Sequence, residues 1–491
     1  MPQERRLKLP HKRRDVLSLL LLTGASFPVL GTLARAQATP LVLDLGAVRR
    51  ALGPQASDDD ALAQAMANSA PALSIHLPAG GGSGAGGVWE FSTQPWSVPN
   101  AVPSRGNITR SRVRIYGDGM GRTIVRQPTR SNLLFMAHVD PARPHAVLTD
   151  IAIDSLTLEG NLGRRRDYNE FNHLLQLAGV ANMVVNRVEF RDWMGDGISL
   201  SSPLRALDYH NTNLQVTDCI FDGVSRRNRN GIGILDCNGW TVTGCTFVNC
   251  CDVARNTPGA IDIEPELPTA VVASGTVSDC RFENVGGAAV ALLNGHGGKA
   301  SGLRFTHCEI RNMARGILSV DNFSGVTAAH HACDSVGDPL AIRRSRDVTL
   351  RDCTIRNSNM IRIGGLGDTV ARNVTIENNR FPRCGNVDGP VIVQDGHVEN
   401  VQVLGNTLTE CGVAGRVSPL YFIQQSDASR ARVDGLTLAG NIVEPARSHV
   451  TDIGRLAFGY APAPPFYRRV SRTGNSPAAI PGGAENLVNA R

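Results

Sequence analysis

Two carboxylates near the middle of the chain have a spacing that suits general acid–base chemistry. In the run GAIDIEP, Asp262 and Glu264 alternate with Ile261 and Ile263. An apolar residue at every second position predicts a β-strand that buries both isoleucines and places both acids on its other face. Residues two apart on a strand lie about 6.6 Å apart, so the two charges should raise one of the two pKa values. We therefore predict Asp262 and Glu264 as a catalytic acid–base pair, at a separation that does not choose between retaining and inverting hydrolysis.

Polar residues around this strand are the predicted substrate ligands. Most of them lie in long insertions between repeats, which in a solenoid tend to gather on one face. Arginine binds carboxylates in a bidentate manner, so an anionic, uronate-like sugar is the expected ligand. The predicted set is Arg226, Arg227, Arg229, Asp236, Arg255, Asn294, His296 and Lys299.

Two other interpretations of the acid pair stay open. The acids are also what a solvated strand would carry, and the arginines then reflect only the preference of this chain for arginine. With enough oxygen ligands around them, the acids would instead bind calcium. Calcium apart, no cofactor is expected, because neither Cys250-Cys251 nor His331 with Cys333 offers enough ligands for a metal site.

The acids belong to a repeat of short strands. One pattern, an apolar residue followed by Cys and an aromatic residue, runs from Leu214 onwards as VTDCIF, VTGCTF and VSDCRF. A second pattern, a Gly-rich entry to an I-x-I triplet, runs as GIGI and GAIDI. The shortest repeat is about 22 residues, which suits three strands and three turns per coil of a right-handed parallel β-helix. Stacking the I-x-I triplets places Gly233 beneath Asp262 and Ala291 above it.

The repeat sets the expected domain boundaries. We expect a signal peptide at residues 1–36, a cap with the first coil at 37–110, the β-helix at 111–445, and a C-terminal cap with a disordered tail at 446–491. Ser57 followed by Asp58 to Asp60 predicts the start of a helix, with Leu62, Ala65 and Met66 on its apolar face. This helix should cover the open end of the first coil. The expected fold is therefore an all-β, right-handed parallel β-helix solenoid with an N-terminal helical cap, and the tail should begin near Ser471.

The cysteines are expected to be buried thiols rather than disulfides. Cys219, Cys245, Cys280, Cys308 and Cys353 share one repeat position, which Asn379, Asn406 and Asn441 occupy in later coils. A position that stacks on itself from coil to coil suits a small apolar group, and a free cysteine behaves as one.

The N-terminus has the character of an export signal. Arg13 and Arg14 precede the apolar run Leu17 to Leu22 and a small-residue cleavage site, which favours twin-arginine export over a general secretory signal. The net charge of the chain is +6, and the segment before Gln37 contributes +5 of it through seven basic and two acidic residues. The rest of the chain therefore carries about +1. We therefore expect a periplasmic or secreted bacterial protein that passes through the twin-arginine machinery, does not bind nucleic acid, and has no stable membrane span.

Several segments resemble a known superfamily. The run DLGAV, a short helix with DDD, and then LPAG resemble the N-terminal cap of pectin-lyase-like β-helix proteins, and VRIYGDGMGRTIV resembles a turn in their early coils. With the arginine pair, the chain is similar to the twin-arginine-translocated repetitive proteins, whose activity is not established. The resemblance implies the fold over about residues 41–445. It transfers no catalytic residue, because Asp196-Gly197-Ile198 matches only half of the polygalacturonase D-G-I-D motif, with Ser199 in place of the second acid.

Fold and acid pair together predict a carbohydrate-active protein. We expect a glycoside hydrolase or polysaccharide lyase acting on an acidic or envelope polysaccharide, with Asp262 and Glu264 as the catalytic residues. The alternative is a non-catalytic solenoid that binds a glycan or has a structural role in the envelope.

Overall fold

The fold is built almost entirely from short parallel strands. The computed structural model describes residues 39–91, 107–128, 135–138, 147–160, 162–164, 169–201, 210–255, 257–364, 370–385, 391–411, 420–424, 432–444 and 466–475. Within these ranges the chain forms 38 strands, two α-helices and three short 3-10 helices at Ala85–Gly87, Leu162–Arg164 and Val253–Arg255. The described residues from Pro40 onward belong to one compact unit. None of the described helices is long and apolar enough to cross a membrane.

The two α-helices lie at the N-terminal end, where the sequence predicted one. They are α1 (Leu45–Leu52) and α2 (Asp58–Met66). Ser57 is the N-cap of α2, as predicted, and forms a capping box with Asp60. Leu62 is buried in the hydrophobic core. The helix is therefore confirmed, while its role as a cap on the first coil stays a prediction.

The strands fall into three columns, each of which pairs in parallel from coil to coil. Column 1 consists of β1 (Leu41–Asp44), β2 (Leu73–Leu77), β5 (Val113–Gly117), β8 (Leu148–Glu159), β10 (Val180–Arg191), β12 (Thr212–Thr217), β15 (Cys237–Thr243), β18 (Val271–Ser278), β21 (Lys299–Thr306), β24 (Ser324–Ala329), β27 (Arg346–Arg351), β30 (Val370–Glu377), β33 (His397–Leu404), β36 (Arg432–Ala439) and β38 (Phe466–Thr473). Column 2 consists of β3 (Trp89–Glu90), β6 (Ile124–Arg126), β13 (Ile220–Asp222), β16 (Thr246–Val248), β19 (Arg281–Val285), β22 (Glu309–Met313), β25 (Ala332–Val336), β28 (Thr354–Arg356), β31 (Arg380–Pro382), β34 (Thr407–Thr409) and β37 (Ile442–Glu444). The long strands β8 and β10 run through both columns and join them into one 26-stranded sheet.

Column 3 is a separate sheet of twelve described strands. It consists of β4 (Asn107–Ile108), β7 (Phe135–His138), β9 (Leu175–Ala178), β11 (Ile198–Ser201), β14 (Ile232–Ile234), β17 (Gly259–Ile263), β20 (Ala288–Leu293), β23 (Gly316–Asp321), β26 (Leu340–Arg343), β29 (Ile361–Ile363), β32 (Ile392–Asp395) and β35 (Tyr421–Gln424). The I-x-I triplets form this sheet, as the repeat predicted.

A left-handed residue makes the bend between columns 1 and 2 in most coils. The residue after the strand of column 1 has a φ between 51° and 65° in ten coils, at Asp218, Gly244, Asp279, His307, His330, Asp352, Asn378, Gly405, Gly440 and Gly474. Glycine, Asn and Asp tolerate this conformation better than most residues. The frequent Asp, Asn and Gly before each Cys or Asn of the repeat therefore set the corner of the coil.

Side chains of one type stack along the core. The rings of Phe190, Phe221, Phe247 and Phe282 lie nearly parallel, with centroids 4.6 to 4.9 Å apart. All eleven cysteines are free and buried, which confirms the predicted thiol stack. Where Asn takes over, each Asn binds the next through its side chain, as Asn379 does to Asn406 and Asn406 does to Asn441 at 3.0 Å. The interior thus changes from apolar packing to a ladder of amides without changing its spacing.

The last described strand corrects the expected position of the tail. β38 pairs in register with β36, and Asn475 continues the asparagine ladder by accepting from Asn441 at 3.0 Å. The expectation of disorder from Ser471 onward is therefore wrong up to residue 475. The signal segment with Arg13 and Arg14 lies outside the described residues.

Candidate active site

Asp262 lies on the outer face of column 3, in the register that the sequence predicts. In β17, Ile261 and Ile263 are fully buried in the core, so Asp262 between them points to the opposite face. Its neighbours in the sheet are Gly233 on one side and Ala291 on the other. This outer face is not open to solvent at Asp262, which is only 3% exposed. The chain segments that lead into column 3 lie over it.

Those segments bring a second acid and an amide to Asp262. Asn230 Nδ2 donates to Asp262 Oδ2 at 3.1 Å and to Asp196 Oδ1 at 3.2 Å. Asp196 is 2% exposed and Asn230 is 1% exposed. One amide group therefore holds two buried carboxyls, each by one of its two N–H bonds.

Asp196 and Asn230 occupy equivalent places in successive coils. Ile198 and Ile232, the first residues of their strands, are paired in the sheet, and each polar residue lies two positions earlier. Asp196 fits against Gly233, where an added Cβ would lie 2.7 Å from its Oδ2. The absence of a side chain at residue 233 is thus what allows the Asp196 carboxyl to lie over the sheet next to Asp262.

The surroundings of Asp262 favour its protonated form. Burial raises the pKa of Asp262 well above its ordinary value, and the negative charge of Glu264 raises it further. Arg229 and the hydrogen bond from Asn230 act in the opposite direction but do not cancel this effect. The prediction that one acid has a raised pKa is confirmed, with burial rather than the neighbouring carboxylate as the larger cause.

Asp196 is shifted less, because a cation lies nearer to it. Burial raises the pKa of Asp196 to about 6, while Arg229 and Asn230 oppose this rise. The Arg229 guanidinium lies 4.0 Å from Asp196 Oδ1 and 3.7 Å from Glu170 Oε2. At neutral pH, Asp196 is therefore mostly ionised next to an Asp262 that favours its proton.

A neutral histidine lies on the other side of Asp196. Burial lowers the pKa of His173 to about 3, with a further contribution from Arg229. His173 Nδ1 accepts a hydrogen bond from the Asp196 backbone N–H at 3.0 Å, so this nitrogen carries no proton of its own. The contact of 3.4 Å between His173 Nδ1 and Asp196 Oδ2 is consequently not an ion pair. The hydrogen bond from the Asp196 backbone N–H, rather than this contact, is what His173 contributes to the position of Asp196.

Two further carboxylates lie toward solvent. Glu264 is partly buried and Glu266 is exposed. The pKa of Glu266 is raised mainly because nearby protein displaces water from its carboxyl group. The negative charge of Glu264 raises it further, while Arg229 and His296 lower it. The predicted residues Glu264, Arg229 and His296 are thus close enough to this cluster for their charges to act on it.

Some buried oxygens in the cluster have no donor within the described ranges. They are Asp262 Oδ1 and Asn230 Oδ1. A buried polar atom without a partner is unfavourable by about 1–3 kcal/mol. These atoms therefore favour the binding of a polar group next to Asp262.

The other predicted arginines do not converge on the acids. Arg226 donates to Asn284 at 2.8 Å, and Arg255 forms a local ion pair with Asp252 at 3.1 Å. Arg227 is exposed, like Lys299 at the start of β21. Of the four loop arginines, only Arg229 lies at the candidate site.

Asp236 and Asn294 hold the turns after column 3. Asp236 is buried and lies 2.9 Å from His210 Nδ1, and it accepts from the Val271 backbone N–H at 3.2 Å. Asn294 is also buried and donates to the Gly298 carbonyl at 2.9 Å. Both were predicted as substrate ligands, and both make contacts that a structural residue would make.

The sequence did contain a signal for the missed residues. Asp196 and Asn230 each stand before the glycine that enters an I-x-I or I-x-L triplet, as DGISL and NGIGI. That shared position should place them in one row along the edge of the sheet. His173 lies in the same row without the glycine, so only the register of the folded chain reveals it.

No metal site is evident among the residues that the structure describes. None of their His, Cys, Asp and Glu side chains gather in threes in a way that would hold an ion. Asn230 also places an N–H group between the two buried carboxyls, whereas calcium takes only oxygen ligands. Calcium at Asp262 remains a proposal to be tested.

Comparison with known proteins identifies the fold. The family described as "Right handed beta helix region" matches residues 271–441. The A-module of the mannuronan C-5 epimerase AlgE6 of Azotobacter vinelandii superimposes with a TM-score of 0.50 at 16% identity, covering 85% of this chain and 94% of the module. The chain is a right-handed parallel β-helix.

Phage proteins with the same fold are also similar. A double mutant of the tailspike of E. coli bacteriophage HK620 gives a TM-score of 0.51 at 14% identity, covering 88% of this chain and 70% of the tailspike. Another mutant of that tailspike, in complex with a pentasaccharide, gives 0.50 at 14% identity with the same coverage. No curated protein sequence matches the chain. At these identities the likeness extends to the fold alone, and the chemistry must be argued from the cluster around Asp262.

Proposed function

We propose that this protein hydrolyses a polysaccharide, with Asp262 as the proton donor to the glycosidic oxygen. Hydrolysis of a glycosidic bond needs a carboxylic acid that keeps its proton near neutral pH, beside a second carboxyl that is ionised. Asp262 has the environment of such an acid, because burial and Glu264 both raise its pKa. The observation that carries the proposal is this acid on the outer face of a β-helix sheet, within a cluster of other carboxylates.

Glu264 has a defined part in this proposal. Its side chain is less buried than that of Asp262, and its negative charge stabilises the protonated form of its neighbour. The pair predicted from the sequence therefore acts as a unit, in which Glu264 keeps the proton on Asp262 until the leaving oxygen takes it.

The similar structures support a polysaccharide as the substrate class. The names of these proteins refer to a mannuronan epimerase and to a tailspike bound to a pentasaccharide. An acidic polysaccharide has weaker support, because only Arg229 among the loop arginines lies at the carboxylate cluster. Neutral polysaccharides therefore belong in the same test.

The experiment is a screen for depolymerisation. The purified protein is incubated with polygalacturonate, alginate, a neutral galactomannan and bacterial envelope polysaccharide, while reducing ends and unsaturated uronate absorbance are both recorded. We expect new reducing ends without unsaturated product, and a loss of about 100-fold or more in Asp262→Asn. Unsaturated uronate would indicate β-elimination instead, and full activity in Asp262→Asn would contradict the assignment.

Burial of the acids supports one alternative, a non-catalytic glycan-binding or envelope-structural solenoid. Asp262 and Asp196 are 3% and 2% exposed, and Asn230 already binds both. Under this alternative an intact oligosaccharide is retained on the protein and no reducing ends form. Adding calcium or a chelator to the same assays tests the calcium site, which predicts a melting shift that is lost in Asp262→Asn.

We further propose that the protein is exported through the twin-arginine pathway. The support is the pair Arg13-Arg14 before a short apolar run. Replacing both arginines by lysine should leave an uncleaved precursor in the cytoplasm of a bacterial host. Normal export of that variant would instead indicate the general secretory route.

A further inference from the structure

One side chain determines the geometry of both buried carboxyls. Asn230 Nδ2 lies 3.1 Å from Asp262 Oδ2 and 3.2 Å from Asp196 Oδ1, and all three side chains are at most 3% exposed. Shared donation from one NH2 group keeps the two carboxyls apart and aims one oxygen of each at the same nitrogen. Without it, two carboxyls this close would tend to share a proton directly.

The two carboxyls differ in their second neighbours. Asp196 lies 4.0 Å from the Arg229 guanidinium and packs against Gly233, whereas Asp262 has Glu264 two residues along its own strand. A cation next to one carboxyl and an anion next to the other favour opposite protonation states. The pKa of Asp196, about 6, and the higher pKa of Asp262 agree with this ordering. Such a difference between two adjacent carboxyls is what separates a base from an acid.

We propose that Asp196 is the general base that activates the attacking water and that Asn230 is the residue that positions both carboxyls. The proposal rests on the hydrolytic function proposed above. Asp196 takes a proton from water, the water oxygen bonds to the anomeric carbon, and the bond from that carbon to the glycosidic oxygen breaks. The leaving oxygen takes the proton of Asp262. The two carboxyls thereby exchange protonation states, and each returns to its starting state by proton exchange with solvent.

The acceptor oxygens next to Asn230 indicate where the water binds. Asn230 Oδ1 and Asp262 Oδ1 are buried and have no donor among the residues described. A water molecule donates two hydrogen bonds and is held well by two to four polar partners. A water that donates to Asn230 Oδ1 would lie next to the amide whose Nδ2 donates to Asp196, so we place the attacking water there.

The test compares four variants on whichever of the polysaccharides named above the wild type cleaves. Asp196→Asn keeps the shape of the side chain and should lose about 100- to 10,000-fold in kcat. Glu264→Gln should move the basic limb of the pH profile to lower pH, whatever its effect on kcat, because the charge that raises the pKa of Asp262 is gone. Asn230→Ala removes a bond that lowers the pKa of both carboxyls, so both limbs should move to higher pH. Asp262→Asn tests the proposed acid in parallel, and circular-dichroism melts check that each variant folds.

The outcomes separate this inference from the proposed function. If Asp262→Asn is inactive while Asp196→Asn retains activity, the base assignment is wrong and the proton donor stands. If Asn230→Ala loses rate without moving either limb, Asn230 has only a structural role. Direct attack by water inverts the anomeric centre, so retention of configuration in the first product, read by NMR, would overturn the base assignment. Absence of cleavage by the wild type overturns both proposals.

Discussion

The carboxyl of Asp196 occupies the space that a side chain on Gly233 would need. An added Cβ at residue 233 would lie 2.7 Å from Asp196 Oδ2, closer than any real contact of that kind. Gly233 is also the strand neighbour of Asp262. The absence of a side chain at Gly233 thus allows Asp196 to lie beside Asp262, which belongs to the second coil after its own.

Gly233→Ala should therefore displace Asp196 while leaving the β-helix intact. The added methyl group clashes with Oδ2 of a carboxylate whose Oδ1 is held by Asn230. We expect a loss of about 1–3 kcal/mol in the free energy of unfolding and a loss of activity out of proportion to it. Urea unfolding and the depolymerisation assay measure the two effects.

Gly295→Ala is the matched control for that change. A Cβ at residue 295 would meet nothing within 4 Å, and the residue lies in an exposed turn. This variant should match the wild type in both stability and activity. If Gly233→Ala and Gly295→Ala have the same stability and the same activity, the close packing of Asp196 against Gly233 is not needed for activity.

The buried acids should make the fold less stable as the pH rises. A folded-state pKa raised above the unfolded value means that the native state binds the proton more tightly, so this stability is present at low pH and is lost as pH rises. For Asp196, the rise from 3.8 to about 6 corresponds to about 3 kcal/mol, lost between roughly pH 4 and pH 6. Asp262 adds a loss of the same sign that extends to higher pH.

Asparagine variants test the source of this pH dependence. Asp196→Asn and Asp262→Asn should each flatten the curve of unfolding free energy between pH 4 and pH 8. Asp279→Asn, in an exposed turn with a φ of 55° that Asn tolerates, should leave the curve unchanged. A wild-type unfolding free energy that stays constant or rises between pH 4 and pH 8 would contradict the raised pKa values.

The register around the acids could be predicted because it depends on local repetition. Stacked I-x-I triplets place Gly233 and Ala291 on either side of Asp262, and the sheet has this pairing. Burial of Asp262 could not be predicted, since it depends on segments that precede other strands and fold across the sheet. Asp196 and Asn230 lie 66 and 32 residues before Asp262, and no periodicity relates their side chains to it.

The C-terminal coil illustrates a different limit. The step from Asn441 to Asn475 is 34 residues, close to the 35 residues from Asn406 to Asn441, and β38 begins at Phe466. Composition in between favoured an end to the solenoid, while the pairing of β36 with β38 continues it. The spacing therefore allowed a further coil, and it was the composition of the segment that led to the wrong expectation.

The amide ladder should tolerate cysteine better than alanine. Asn406 donates to the Ile376 carbonyl at 2.9 Å and accepts from the Asn379 backbone N–H at 3.0 Å. Asn406→Ala leaves buried groups of its neighbours without partners, and we expect a loss of about 2–4 kcal/mol in unfolding free energy. A thiol can replace part of this network, as Cys308 does by accepting from the Cys280 backbone N–H at 3.4 Å.

Asn406→Cys should consequently be more stable than Asn406→Ala. Thermal and urea unfolding of the two variants beside the wild type decide the order. If alanine is the better replacement, the hydrogen bonds of the ladder contribute less than the space that the side chain fills.

The thiols of the native protein should be unreactive although none of them is in a disulfide. All eleven cysteines are buried, and burial raises the pKa of Cys237 and Cys384 to about 12, which removes the reactive thiolate. Ellman's reagent should detect fewer than about one thiol in the folded protein and all eleven in guanidinium chloride.

Cys411, at 5% the most exposed, should react first as the C-terminal coils open. A reducing agent should leave the melting temperature unchanged, whereas a fall in that temperature would reveal a disulfide and contradict the thiol stack.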